Sequence, residues 1–309
     1  MRRTIMAACT CFTCALACTS VAAQVELLVS SRLTNSVLKY DASGNFVGRF
    51  DHGADILSPN GLVLGPDGFV YLSSRNTNQV MRYRFDGAFD RVFASGPEMV
   101  GPSGLVFGPG GDLYVCNSLA NNVGRYDGAT GALVRTFGTG GELNAPIAVA
   151  FGLDGDAYVT SALNNRLVRY DGQTLDLQGV VVEGGLLGNP ADVQRGPDGK
   201  LYIASVLQNR IARFDTTTQS IESFAQSPAI ATPDSVAFHD GDVFVGSFTG
   251  DKVVRLDGTS GAVEGNFVLP GAGGLDGPQY LLFIPEPLAI AWLMLPLLWL
   301  RRGTRIARL

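Results

Sequence analysis

Between residues 24 and 284 the sequence has no tryptophan, one cysteine and two histidines. The lone thiol, Cys116, excludes an intrachain disulfide and a cysteine-built zinc site in this stretch. The histidines, His52 and His239, lie far apart in the chain and in no metal-ligand spacing. No Gly-x-Ser-x-Gly elbow, phosphate loop or His-Glu-x-x-His motif is present. The apolar spacing of helices is missing, and so is any apolar run long enough to cross a membrane. Positive charge is also scarce. The 309-residue chain carries a net charge of −5, but six of its 23 basic residues lie in the two tails. The body keeps 17 basic against 27 acidic residues. An acidic surface repels phosphate backbones, so nucleic acid is excluded as a partner.

The remaining four cysteines, Cys9, Cys11, Cys14 and Cys18, sit in an N-terminal tail with the form of an export signal. Arg2 and Arg3 supply the positive start, Ile5 to Leu16 the apolar stretch, and Val21-Ala22-Ala23 the small residues before a cut at Gln24. Residues 1–23 are therefore expected to be a signal peptide; a lipid-carrying Cys18, preceded by Ala15 at the third position before it, is the alternative. The other tail, 285–309, opens with Pro285-Glu286-Pro287. It continues with 13 apolar residues from Leu288 to Leu300, which include both tryptophans, and reaches Arg301-Arg302. A helix of that length spans roughly 20 Å, short of a ~30 Å bilayer core. Arginines at its far end would remain on the cytoplasmic side. The order Pro-Glu-Pro, short apolar helix, arginines resembles the PEP-CTERM sorting signal. That resemblance implies an exosortase-type protease as partner, a membrane contact through the C-terminal segment, and a Gram-negative cell surface or matrix as destination. A plain C-terminal anchor is the alternative. Both readings place the body outside the cytoplasmic membrane.

What the body has in abundance is turns, and they recur. Glycine numbers 39, and Pro59, Pro102, Pro146, Pro190, Pro233 and Pro278 each open a similar block. Their separations are 43, 44, 44, 43 and 45 residues. An apolar run follows each proline, as in Gly61-Leu62-Val63-Leu64 and Ala148-Val149-Ala150-Phe151. Next come a Gly/Asp hairpin turn such as Gly65-Pro66-Asp67-Gly68 and a second strand marked by Tyr71, Tyr114, Tyr158, Tyr202 or Phe244. An Asn-rich connection, a third strand of the type Val123-Gly124-Arg125-Tyr126-Asp127 and an outer strand complete the unit. Four short antiparallel strands per ~44 residues make one propeller blade. The expected fold class is all-β, a six-bladed β-propeller over residues 24–284. Glu26 to Phe50 lacks a first strand, and Pro278 to Phe283 is a first strand with nothing after it, so strands from both termini close the ring and remove its open edge.

The recurring Pro-x-Gly-Leu-x-Phe-Gly-Pro-Asp-Gly, Tyr-Val and Asn-Arg-Val-x-Arg-Tyr-Asp elements resemble the NHL-repeat and streptogramin-lyase-like propellers. Streptogramin lyases imply a catalytic histidine beside a metal, and neither His52 nor His239 maps onto that position. His239 falls in a turn expected on the opposite face. Gluconolactonase-like relatives imply calcium held by channel-facing carboxylates and asparagines.

Residues shared by every blade are explained by the blade. The tyrosines are expected between blades, and the repeated Lys39, Arg82, Arg125, Arg169, Arg213 and Arg255 to pair with the Asp41, Asp127, Asp171, Asp215, Asp257 series or to stack on aromatics. Function belongs where blades differ, at the channel mouth. The residue after each opening proline is Asn60, Ser103, Ile147, Ala191, Asp234 or Gln279, and the next position adds Asp192 and Tyr280. Second-strand ends add Arg75, Asn117 and Ser161. Asn60, Arg75, Ser103, Asn117, Asp192, Asp234 and Gln279 are the candidate ligand-binding set. Asp192 and Asp234 are the candidate ligands for Ca2+ or Mg2+, with no cofactor otherwise implied. A surface protein that binds polysaccharide or an envelope protein is the leading expectation. A lactonase-like metal hydrolase or lyase is the alternative.

Overall fold

The computed structural model describes residues 25–285. The export signal, the apolar segment 288–300, Glu286, Pro287, Arg301 and Arg302 lie outside them. No helix among the described residues is long and apolar enough to cross a membrane.

The described residues form six four-stranded antiparallel sheets. Blade one takes Pro278–Pro285 as its innermost strand and continues through Val25–Ser31, Ser36–Tyr40 and Phe46–Arg49. The innermost strands of blades two to six are Pro59–Leu64, Pro102–Phe107, Pro146–Phe151, Pro190–Arg195 and Pro233–His239. Each begins at the proline that opens its block, so the sequence period and the blade period coincide. In blade one Val25 pairs with Pro285 and Ser31 with Pro278. Both ends of the described chain therefore leave from the face opposite the prolines.

The blade-to-blade core is aromatic. Tyr71 meets Phe107, Tyr114 meets Phe151 and Tyr202 meets Phe238, edge to face, at centroid distances of 5.0, 5.0 and 4.9 Å. Each pair joins the second strand of one blade to the inner strand of the next. Such contacts contribute about 0.5–1.5 kcal/mol beyond the area they bury. The Gly/Asp turns serve the same core. Gly68 and Gly155 take positive φ of 82° and 84°. Asp67 and Asp154 accept hydrogen bonds from the Tyr71 and Tyr158 hydroxyls at 2.8 and 2.7 Å. These aspartates are tyrosine anchors.

The repeated arginines stack as expected, Arg82 over Phe69 at 4.1 Å and Arg213 over Tyr202 at 5.7 Å. Their ionic partners differ from the expected series. Arg125 pairs with Asp112 at 2.7 Å, Arg169 with Asp156 at 2.6 Å and Arg255 with Asp242 at 2.5 Å. Asp127, Asp171 and Asp257 turn back onto the backbone N–H groups two and three residues ahead. The Thr130 and Ser260 hydroxyls, which also donate to Asp127 and Asp257, together with these backbone bonds hold the carboxyls below the usual range. A side chain that closes its own turn needs no long-range partner.

The Asn-rich connection is an inter-blade clasp. Asn35, Asn78, Asn121, Asn165, Asn209 and Asp251 all adopt positive φ. Each side-chain oxygen accepts the N–H of the residue before the next opening proline: Ser58, Gly101, Ala145, Asn189, Thr232 and Gly277, at 2.7–2.9 Å. Asparagine and aspartate suit the site because they tolerate the left-handed region and carry an acceptor. Asn165→Ala is expected to lower stability by about 1–2 kcal/mol, through the lost bond and the strained φ. Asn165→Asp, which copies Asp251, should restore most of it. Urea denaturation of the three proteins reads both; equal losses in Ala and Asp would refute the clasp.

Candidate functional site

Each inner strand presents its second residue at the proline end of the channel. Hydroxyls from neighbouring second strands fix these positions. Ser30 donates to the Asn60 carbonyl at 2.7 Å, Ser73 to that of Ser103 at 2.5 Å and Thr160 to that of Ala191 at 2.6 Å. Ser30, Ser73 and Thr160 also accept the N–H groups of Tyr280, Gly61 and Ala148. Each hydroxyl thus staples two inner strands together. Cys116 takes this place in blade three, where burial raises its thiol pKa and keeps it protonated.

The mouth so built is a recess of about 210 Å³. Asn60, Arg75, Ser103, Asp234 and Gln279 line it, as the repeat implied. Four of them form a directional chain across four blades. Ser103 Oγ donates to Asn60 Oδ1 at 3.3 Å, Asn60 Nδ2 to Gln279 Oε1 at 2.9 Å, and Gln279 Nε2 to Asp234 Oδ2. Donors run toward the carboxylate, the order electrostatics favours. Burial raises the Asp234 pKa to about 7, opposed by the Arg32 guanidinium and reinforced by Asp192.

Two candidates lie elsewhere. Asn117 is buried within blade three, where its Nδ2 donates to Asn122 Oδ1 at 2.8 Å. Asp192 sits one residue deeper than the mouth, with no exposed surface. Its Oδ2 accepts the Val236 N–H at 3.0 Å and its Oδ1 the Gln194 amide at 3.1 Å. Burial raises its carboxyl pKa to about 6. In the same layer Tyr280 reaches across the channel to Gly104. The buried hydroxyls of Tyr280 and Ser235 have no protein partner among the described residues.

Sequence reasoning missed Arg32, Val206 and Phe248, which also line the mouth. They occupy the same place in the repeat as Arg75, directly after the second strand. The six copies there read Arg32, Arg75, Ser118, Ala162, Val206 and Phe248. That variation was the available signal.

This donor set fits a divalent ion poorly. Both oxygens of Asp192 are engaged, and Asp234 is one carboxylate facing an arginine, whereas calcium and magnesium need several converging oxygens. Among the described residues, the acids that do converge are Asp242, Asp257 and Glu264 in blade six. Arg255 already binds Asp242 and Glu264 there, at 2.5 and 2.8 Å. The histidines are away from the mouth. His239 ends its inner strand on the opposite face, stacked on Phe283 at 4.6 Å. His52 follows the outer strand of blade one and bridges to Ala88.

No curated protein sequence matches this chain. Among solved structures, virginiamycin B lyase from Staphylococcus aureus is 19% identical, with a TM-score of 0.60 over 77% of this chain and 79% of that one. The catalytically inactive histidine-to-alanine variant of that enzyme, solved with quinupristin, is also 19% identical, with a TM-score of 0.63 over 84% and 88%. A chain of the nidogen–laminin complex is 12% identical, with a TM-score of 0.70 over 84% and 98%. These likenesses concern the fold. Residues 49–274 match the virginiamycin B lyase family, and the chain belongs to that family.

Proposed function

We propose that this family member is a binding module of the cell surface or extracellular matrix, which docks an envelope protein on its mouth face. One observation carries the reading. Leu33, Leu119, Leu163 and Leu207, at one repeat position in blades one, three, four and five, stand 58–75% exposed around the mouth. Apolar patches rimmed by polar residues mark protein interfaces, and a hydroxyl-rich polysaccharide gains less from them. The strand directions support the same orientation. The tails join at the opposite face, so a tail sorted by an exosortase-type protease through Pro285-Glu286-Pro287 and Arg301-Arg302 leaves the mouth facing outward.

The lyase reading comes from family membership. In the Staphylococcus aureus relative a histidine-to-alanine change abolishes catalysis, while His52 and His239 here lie off the mouth. Asp234 is the group that would have to serve as base.

Photocrosslinking separates the readings. A benzophenone amino acid at Leu163 should crosslink to a protein in producing cells. The same probe at Leu153, exposed in a turn on the opposite face, should not. Equal crosslinking at both positions, or turnover of quinupristin by the purified protein seen by mass spectrometry, would overturn the docking role.

A further inference from the structure

The mouth is divided into two chemical halves. Blades one and two contribute Arg32 and Arg75 at equivalent positions. Both side chains are half-buried, and neither forms a salt bridge among the described residues. Arg32 spends its Nε on the Ser58 hydroxyl at 3.0 Å. Burial lowers the Arg75 pKa, and the charge of Arg32 lowers it further. Blades four and five contribute Ile147, Ala191 and Val206 to the lining. Above them stand the exposed Leu163 and Leu207, continued by Leu119 of blade three.

Two neighbouring guanidiniums, partly stripped of water and with no carboxylate at ion-pair distance among the described residues, are costly in the free protein. Asp234 does not discharge them, because it is further than ion-pair distance and already accepts from Gln279. An arriving anion relieves both, and guanidinium holds carboxylate in paired hydrogen bonds. The recess of about 210 Å³ is smaller than a typical small-molecule site of ~300–1,000 Å³. It has room for a side-chain tip, with the rest of the ligand lying across the rim.

We propose that the mouth is an anion-anchored docking site. A carboxylate of the partner protein sits between Arg32 and Arg75, and its apolar neighbours cover Ile147, Val206 and the leucines of blades three to five. This rests on the protein-docking reading and adds the chemistry of the docked segment.

The test uses two dansylated peptides, alike except for a central glutamate or glutamine among leucine and phenylalanine residues, titrated by fluorescence. The glutamate peptide should bind at least about tenfold tighter than the glutamine one, and weaken as salt is raised. Arg32→Met and Arg75→Met, which keep the aliphatic stem, should each reduce that binding about tenfold. Their unliganded Tm should hold or rise, because an uncompensated charge has been removed; a structural arginine would lose Tm. Leu163→Ser with Leu207→Ser should weaken both peptides alike. Equal affinity for the two peptides overturns the anchor. Tighter binding of laurate or of oligogalacturonate overturns it in favour of a lipid or an acidic polysaccharide. If neither peptide binds, the anchor falls, while crosslinking from residue 163 stands or falls separately.

Discussion

Gly104→Ala should destabilise the protein by about 3–4 kcal/mol, the scale of severe overpacking, and lower Tm by roughly 10 °C for a domain of this size. The third residues of the six inner strands meet in one layer of the channel: Gly61, Gly104, Ala148, Asp192, Ser235 and Tyr280. Tyr280 crosses that layer, and its hydroxyl ends where a Cβ on Gly104 would lie. The Ile147 carbonyl oxygen, 2.6 Å from the same point, is backbone and cannot move aside. One large side chain therefore requires a glycine opposite it. Gly110→Ala is the control, because its Cβ meets nothing within 4 Å and its φ is ordinary; it should change stability by less than about 0.5 kcal/mol. Adding Tyr280→Phe to Gly104→Ala should recover part of the loss, since the hydroxyl is the first atom struck. Strict additivity of the two changes in urea denaturation would show that the tyrosine does not fill this space.

That packing was invisible in the sequence, although the layer was not. The prolines gave blade number and phase, because the residue after each proline must face the axis if the proline starts the inner strand. Asn60, Ser103, Asp234 and Gln279 were placed correctly by that argument. Asn117 was misplaced by a related one. It ends its second strand where the five other blades carry Ser31, Ser74, Ser161, Ser205 and Ser247, small hydroxyls that bond the incoming loop. Asparagine is too long for that role, so Ser118 bonds the Gly101 carbonyl instead and Asn117 folds back to Asn122. Arg32 was missed because periodicity says which strand a residue belongs to, and the direction of a loop residue depends on the turn. The arginine pairs were misassigned for a similar reason. Local turns claim Asp127 and Asp171, whereas Asp112 and Asp156 reach Arg125 and Arg169 only through the pairing of the second and third strands.

Asp192→Asn should stabilise the protein by up to about 3 kcal/mol at pH 8 and flatten its stability profile between pH 4 and 7. Burial raises the Asp192 pKa from 3.8 to about 6, and one pKa unit corresponds to about 1.36 kcal/mol. Between those values the folded state holds a proton that the unfolded state has released. Stability therefore falls as pH rises through this window and is constant above it. Asp234, raised to about 7, extends the decline upward with a smaller weight because it is partly exposed. The turn carboxylates held below the usual range, such as Asp127 and Asp257, act in the opposite sense, and their contribution disappears only below about pH 4. The difference between wild type and Asp192→Asn isolates the channel. Asparagine keeps an oxygen for the Val236 N–H; its Nδ2 then faces Gln194, whose amide can turn its own oxygen to accept, so the main loss is the charge. Urea denaturation at pH 4.5, 6 and 8 checks this; a wild-type stability that rises across that range would show Asp192 paired with a cation. The same charges bear on docking. At pH 6 Asp234 is mostly protonated and does not repel an incoming carboxylate. At pH 8 it is mostly ionised and repels one, so the glutamate peptide should bind more tightly at pH 6 than at pH 8.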